Sequence, residues 1–246
     1  MTAVPWLRAD WPAPANVVAG TTLRAGGASQ GRYATLNLGA HVGDDPEAVR
    51  TNRCRFVEAC GLPGEPPWLR QVHGTRVMAA YSASPDQPAD AIVADRPGAV
   101  CAVLTADCLP VVFASASGRE IAVAHAGWRG LSAGVLEATV AALGAPAGEV
   151  LAWLGPAISQ PAFEVGQEVR EVFVQGDPGA AGHFRRNDRG RWQADLYGLA
   201  RLRLGRCGVT RVFGGGRCTY GEPEAFFSYR RDGQCGRMAT FVFRAR

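Results

Sequence analysis

Val100-Cys101-Ala102-Val103-Leu104-Thr105-Ala106-Asp107-Cys108-Leu109-Pro110-Val111-Val112-Phe113-Ala114 is followed, after a short polar turn, by Ile121-Ala122-Val123-Ala124-His125-Ala126-Gly127-Trp128-Arg129-Gly130. Residues 100–104, 111–114 and 121–124 are short runs rich in Val, Ile and Phe, broken by Asp, Pro or Gly, and they read as adjacent strands. Working outward, residues 150–154, 209–213 and 240–243 repeat that pattern. Helical periodicity lies between them. Leu131, Val135, Ala138 and Ala142 follow an i, i+4, i+7, i+11 spacing that stops at Gly144 and Pro146; Val165, Val169, Val172 and Phe173 repeat it up to Gly176 and Pro178. A third helix is expected after Asp195 as N-cap, carrying Leu196, Leu199 and Leu202 and ending near Gly208. Runs of adjacent strands mixed with separate helices predict an α+β fold rather than regular βαβ alternation. There is no internal repeat, and residues 82–91 and 176–182 read as surface loops.

The same stretch carries the chemistry. Cys108 and His125, with His73 in Gln71-Val72-His73-Gly74, fall at or near the ends of apolar runs beside Gly or Pro, where the chain can turn and leave a side chain facing a cleft. Two imidazoles and one thiolate suit zinc, and three protein ligands leave a fourth position for water or substrate. Taken singly, Cys108 fits a small buried thiol better than a ligand, and each His a hydrogen-bonded structural group. Scarcity favours the metal reading, because the chain has four His (His41, His73, His125 and His183) and two of them sit in Gly-rich turns after strand-like segments.

Composition bounds the rest. A chain of 246 residues, 47% hydrophobic, can bury a full core, and a single domain spanning residues 1–246 is expected. No apolar stretch reaches the length of a membrane span, the first residues lack a basic head with an apolar core, and seven Cys show no disulfide-framework spacing; a cytoplasmic protein is expected. All 26 basic residues are Arg, so Schiff-base and P-loop lysine chemistries are excluded. The net charge of +4 is modest and the Arg residues are spread along the chain, which argues against nucleic acid as a partner.

Seven segments together resemble the bacterial YfiH family: 22–27, 36–45, 71–74, 105–110, 125–130, 155–158 and 226–231. The family has been called multicopper polyphenol oxidase or laccase domain and peptidoglycan editing factor, and its members are also described as zinc-dependent purine nucleoside phosphorylases with adenosine deaminase activity. The resemblance implies layered mixed sheets flanked by helices, related to a family of cysteine-hydrolase toxins. It also implies His73, Cys108 and His125 as metal ligands. Leu23 stands between Thr22 and Arg24, where the family has Arg directly after Thr.

Three reaction classes compete on these residues. Zinc-dependent nucleoside chemistry, on adenosine, inosine and phosphate, needs an open metal site, a phosphate clamp and an acid/base group. Arg24 before Gly26-Gly27 is the candidate clamp, while Asp107 and His41 are the acid/base candidates. Asp107 also fits orientation of a His, or a structural role. Copper oxidation is disfavoured, since four His cannot furnish both an electron-transfer copper and a multinuclear cluster. A cysteine hydrolase of muramyl-amino-acid precursors, with Cys108 as nucleophile and His125 or His73 as base, is the alternative. Gly214-Gly215-Gly216 before Arg217 reads as a turn, Cys101, Cys207, Cys218 and Cys235 as core or incidental thiols, and Trp128, Phe227 and Tyr229 as either core or pocket wall.

Overall fold

The computed structural model describes residues 4–84 and 87–245. In chain order its elements are β1 (Trp6–Arg8), β2 (Val17–Thr22), α1 (Pro46–Ala59), β3 (Val77–Ala79), β4 (Ala91–Ala94), β5 (Val100–Thr105), β6 (Leu109–Ser115), β7 (Ile121–Ala126), α2 (Trp128–Ala133), α3 (Val135–Ala142), β8 (Val150–Leu154), β9 (Glu164–Val165), α4 (Gln167–Gly176), β10 (Phe184–Arg186), β11 (Trp192–Ala194), α5 (Leu196–Arg206), β12 (Arg211–Gly214), α6 (Tyr229–Asp232) and β13 (Met238–Arg244). The fold is α+β. A six-stranded mixed sheet runs β12-β8-β6-β7-β4-β3, a four-stranded antiparallel sheet runs β1-β2-β13-β5, and a small third sheet runs β10-β11-β9.

Strand alternation explains the layering. Successive side chains point to opposite faces, so Val111 and Phe113 of β6 join one core cluster while Val112 and Ala114 join another. The first face is covered by Leu131 (α2), Leu136 (α3), Phe173 (α4) and Leu199 (α5). The second face meets Ala19, Cys101, Val103 and Val242 of the four-stranded sheet. On that sheet's outer side, Ala102, Leu104 and Phe241 are capped by Phe56 of α1 with Leu36 and Leu38. The order of layers is helices, sheet, sheet, helix. Because the strands are buried on both faces, they read as continuous apolar runs rather than polar/apolar alternation.

Several local expectations are corrected. The helix expected from Leu131 to Ala142 is two helices, because Gly134 at φ +103° terminates α2 in the left-handed conformation and starts α3. Val165 belongs to β9, and α4 begins only at Gln167. The side chain of Asp195 makes no capping hydrogen bond to α5. Pro85 and Asp86 lie outside the described residues, but the end of the expected surface loop 82–91 is interior: Ala89, Asp90 and Ala91 are fully buried. Among the described residues no helix is long and apolar enough to cross a membrane.

Candidate metal centre

Four chain segments converge at one end of the six-stranded sheet, and the strand register dictates it. Leaving β5 in the four-stranded sheet, the chain crosses to β6 in the six-stranded sheet through Ala106-Asp107-Cys108, with Asp107 turned to φ +89°. Antiparallel β7 returns alongside β6, placing His125 opposite Pro110 and hence beside Cys108. Strand β4 pairs antiparallel with β7, Ala91 against Ala124, so Asp90 stands next to His125 and accepts its backbone N–H at 2.7 Å. Strand β3 runs parallel to β4, which brings the preceding loop with His73 to the same end. Gln71 ties that loop to β5 by donating to Leu104 O at 2.8 Å and accepting from Leu104 N at 2.7 Å.

His73, Cys108 and His125 form a group that could hold a metal ion, their ligand atoms lying within 4.8 Å of one another. His73 Nε2 is 3.8 Å from Cys108 Sγ, and the two imidazole rings meet edge-on with centroids 4.7 Å apart. A tetrahedral zinc with Zn–N about 2.0 Å and Zn–S about 2.3 Å has N···N and N···S separations of about 3.3 and 3.5 Å, so the donors are spaced for one ion. Gly127 gives them room: a Cβ there would lie 2.7 Å from His73 Cδ2 and 3.0 Å from Cys108 Sγ. His73 has φ +60°, a conformation that non-glycine residues adopt rarely and that clusters at functional sites.

What fixes this geometry is Asp90, which the sequence reading did not single out. Its Oδ1 accepts from His125 Nδ1 at 2.8 Å and His73 N at 2.9 Å; its Oδ2 accepts from Gly74 N at 2.7 Å and Val72 N at 3.1 Å. One fully buried carboxylate therefore orients His125, leaving Nε2 for a ligand, and pins the backbone of the His73 loop. Burial alone would raise the Asp90 carboxyl, but the hydrogen bond and charge of His125 with the backbone N–H groups hold it below the usual carboxylate range. The signal was a lone acid inside the apolar run Ala89-Asp90-Ala91-Ile92-Val93.

The same neighbours prime the thiol. Burial pushes Cys108 up, yet the charge and hydrogen bond of His125, followed by those of His73, outweigh it and bring Cys108 to about 6. Burial likewise opposes the charged form of His125, while Cys108 and Asp90 raise it to about 9. Without a metal both shifts favour the thiolate–imidazolium form of the pair. The thiolate is the form that ligates metal.

The donors open into a cavity of about 880 Å³. Trp68, Trp128, Ile158, Phe163 and Tyr229 supply its apolar wall, and Arg53, Arg70, Arg129, Arg230 and Arg237 make it cationic. His41 also lines it; burial, then Arg237 and Arg53, lower its pKa, so it is uncharged at neutral pH. Asp107 also lines the cavity, and its carboxylate holds neighbouring segments: Oδ1 accepts from Thr219 Oγ1 at 2.6 Å and Oδ2 from Arg230 N at 2.7 Å. The orienting carboxylate is Asp90 instead. Arg24 is not brought to the cavity. Its Nε and Nη2 donate to Ala34 O and its Nη1 to Pro223 O, at 2.8 to 3.1 Å, with the guanidinium carbon over the Phe227 ring, so three of its five N–H donors are held by backbone carbonyls. Phe227 is fully buried against Phe226, Cys235 and Met238 and is core, whereas Trp128 and Tyr229 are cavity wall. His183 stands apart, 3.8 Å from Asp195, and Arg217 after the Gly214–Gly216 turn is paired with Glu222.

Comparison with known proteins places this geometry. Residues 18–245 match the family described as multi-copper polyphenol oxidoreductase laccase, and a protein named purine nucleoside phosphorylase YfiH from Escherichia coli K12 is 52% identical over 95% of this chain and 96% of its own. The chain belongs to the YfiH family. A Pseudomonas aeruginosa family member, also named purine nucleoside phosphorylase, is 53% identical over 97% of this chain and 98% of its own. The crystal structure of a Neisseria meningitidis YfiH-family protein superposes with a TM-score of 0.93 at 52% identity, covering 98% of this chain and 99% of that one.

Proposed function

We propose that this chain is a zinc-dependent purine nucleoside phosphorylase with adenosine deaminase activity, acting on adenosine, inosine and related nucleosides. The observation that carries the reading is the convergence of His73, Cys108 and His125 at the floor of an aromatic and cationic cavity large enough for a nucleoside. The names of relatives at about half identity agree with the phosphorylase part of it.

The chain's own groups supply the rest. His73 Nε2, Cys108 Sγ and His125 Nε2 would hold the ion, with Asp90 fixing the His125 tautomer. Zinc bound there supplies a Lewis acid that activates an oxygen nucleophile near neutral pH. Trp128, Phe163 and Tyr229 give the cavity aromatic surface for a purine on the side away from the arginine that each ring carries, and the arginines favour an anion. In phosphorolysis a phosphate oxygen bonds to ribose C1′ and the C–N bond breaks with its electron pair going to the purine. His41, which lines the cavity and whose pKa burial lowers, is the group we assign to take up or return a proton. Copper oxidation is not proposed, because the described residues contain one such donor group and a multinuclear centre needs more imidazoles than remain.

One observation favours a second reading. Cys108, His125 and Asp90 are linked as thiolate, imidazolium and carboxylate, the arrangement of a cysteine hydrolase that would act on muramyl-amino-acid precursors. The experiment that separates the readings incubates zinc-quantified and chelator-stripped protein with inosine, adenosine and a muramyl-amino-acid substrate, with and without phosphate. Ribose 1-phosphate formed only with zinc and phosphate supports the phosphorylase. Amide hydrolysis by the stripped protein supports the hydrolase.

A further inference from the structure

With Arg24 committed to backbone carbonyls, a phosphorylase of this fold needs another anion site. Of the five arginines in the cavity, Arg53 donates from Nε and Nη2 to Leu38 O, Arg230 from Nη1 to Glu164 O, and Arg237 from Nη1 to Cys235 O and Gly236 O. Among the described residues, the guanidinium groups of Arg70 and Arg129 make no hydrogen bond or ion pair. The guanidinium carbon of Arg129 lies over the Trp128 ring, 4.5 Å from the centroid. A guanidinium held over a ring by cation–π attraction spends none of its N–H donors on that contact, and two of them can make parallel bonds to an oxyanion.

Arg129 is also anchored at the right place. It follows Gly127, which is packed against His73 and Cys108, and precedes Gly130, where a Cβ would lie 2.9 Å from Gly74 O. The helix that carries it is thus pressed onto the metal-donor loop. Among the described residues the one carboxylate lining the cavity, Asp107, accepts from Thr219 Oγ1 and Arg230 N and makes no ion pair with Arg129.

We propose that Arg129, assisted by Arg70, is the inorganic-phosphate subsite of this cavity. The proposal rests on the phosphorylase reading and deepens it by naming the group that holds the second substrate. Its test measures phosphate KM at saturating inosine, together with calorimetric titration of inorganic phosphate, for zinc-loaded wild type, Arg129→Ala, Arg129→Lys and Arg70→Ala. Zinc content and thermal midpoint report whether each variant is folded; Arg129 is exposed, so both are expected to match wild type. The expected result is a phosphate KM and Kd raised at least about tenfold in Arg129→Ala, with partial recovery in Arg129→Lys, which keeps the charge but loses the fork. Arg70→Ala should show a smaller rise, and the inosine KM should move far less than that for phosphate. If wild type makes ribose 1-phosphate and Arg129→Ala keeps its phosphate KM and Kd, the subsite is refuted while the phosphorylase reading stands. Wild type that makes no ribose 1-phosphate overturns the reading itself.

Discussion

Asp90→Asn keeps the side chain's size and removes its charge, which makes it the sharpest probe of the centre. The native carboxylate accepts four N–H donors, two on each oxygen. An amide has one acceptor oxygen and turns an NH₂ toward the other two donors, so two hydrogen bonds to a charged group are lost whichever way it sits. At about 1.5–3 kcal/mol each the loss is about 3–6 kcal/mol, a large part of a typical folding free energy. If the NH₂ faces His125, Nδ1 must become the acceptor and the proton moves to Nε2, the atom needed by the metal. Zinc affinity should therefore fall about 10- to 100-fold. Urea unfolding should be measured on metal-free protein, because bound zinc would itself stabilise the native state, and zinc affinity by competition with a chromophoric chelator. An Asp90→Asn protein whose metal-free stability is unchanged within about 0.5 kcal/mol and whose zinc affinity is undiminished would refute the assignment of Asp90 as the group that builds the site.

Other substitutions separate metal geometry from folding. Gly127→Ala should weaken zinc binding at least about tenfold with little change in Tm, because its φ of −60° and ψ of 157° suit alanine while the added Cβ meets His73 and Cys108; unchanged zinc affinity would show that the donors do not need this space. In metal-free protein, alkylation of Cys108 by iodoacetamide should show a midpoint near pH 6 and reach about nine-tenths of its plateau at pH 7, and zinc should suppress it. Peptide mapping must report it, since Cys54 is exposed; a midpoint near that of an ordinary thiol, or no protection by zinc, would contradict the account. Arg24→Ala should lower stability by about 2 kcal/mol in urea unfolding, from the lost carbonyl contacts, and leave the phosphate KM unchanged; a selective rise in that KM would restore Arg24 as the clamp.

The physical reasons for what the sequence disclosed are uneven. Strands β5, β6, β7 and β8 are legible because they are buried on both faces and so read as apolar runs; Cys108 and His125 are legible because they stand at the ends of such strands beside turn residues, and His73 because it is a scarce histidine beside a glycine in the loop ahead of β3. Strands β2 and β4 are not. Val17-Val18-Ala19-Gly20-Thr21-Thr22 holds a glycine that Trp6 packs upon, and Ala91-Ile92-Val93-Ala94 is short and flanked by polar residues, so both owe their strand state to partners distant in sequence. Asp90 escaped notice for the same reason: its value lies in four N–H groups from two other segments. Arg24 and Asp107 drew attention by their residue type and motif. Only the tertiary structure reveals that the guanidinium of one and the carboxylate of the other are already occupied.

The central claim, that His73, Cys108 and His125 together form an open zinc site, is tested most directly by X-ray absorption at the zinc edge on stoichiometrically loaded protein, alone and as Cys108→Ser. The account predicts one sulfur scatterer at about 2.3 Å with two imidazole nitrogens and one further light atom at about 2.0–2.1 Å, and loss of the sulfur shell in the variant. Zinc with no sulfur neighbour, or a sulfur shell that survives Cys108→Ser, would contradict it.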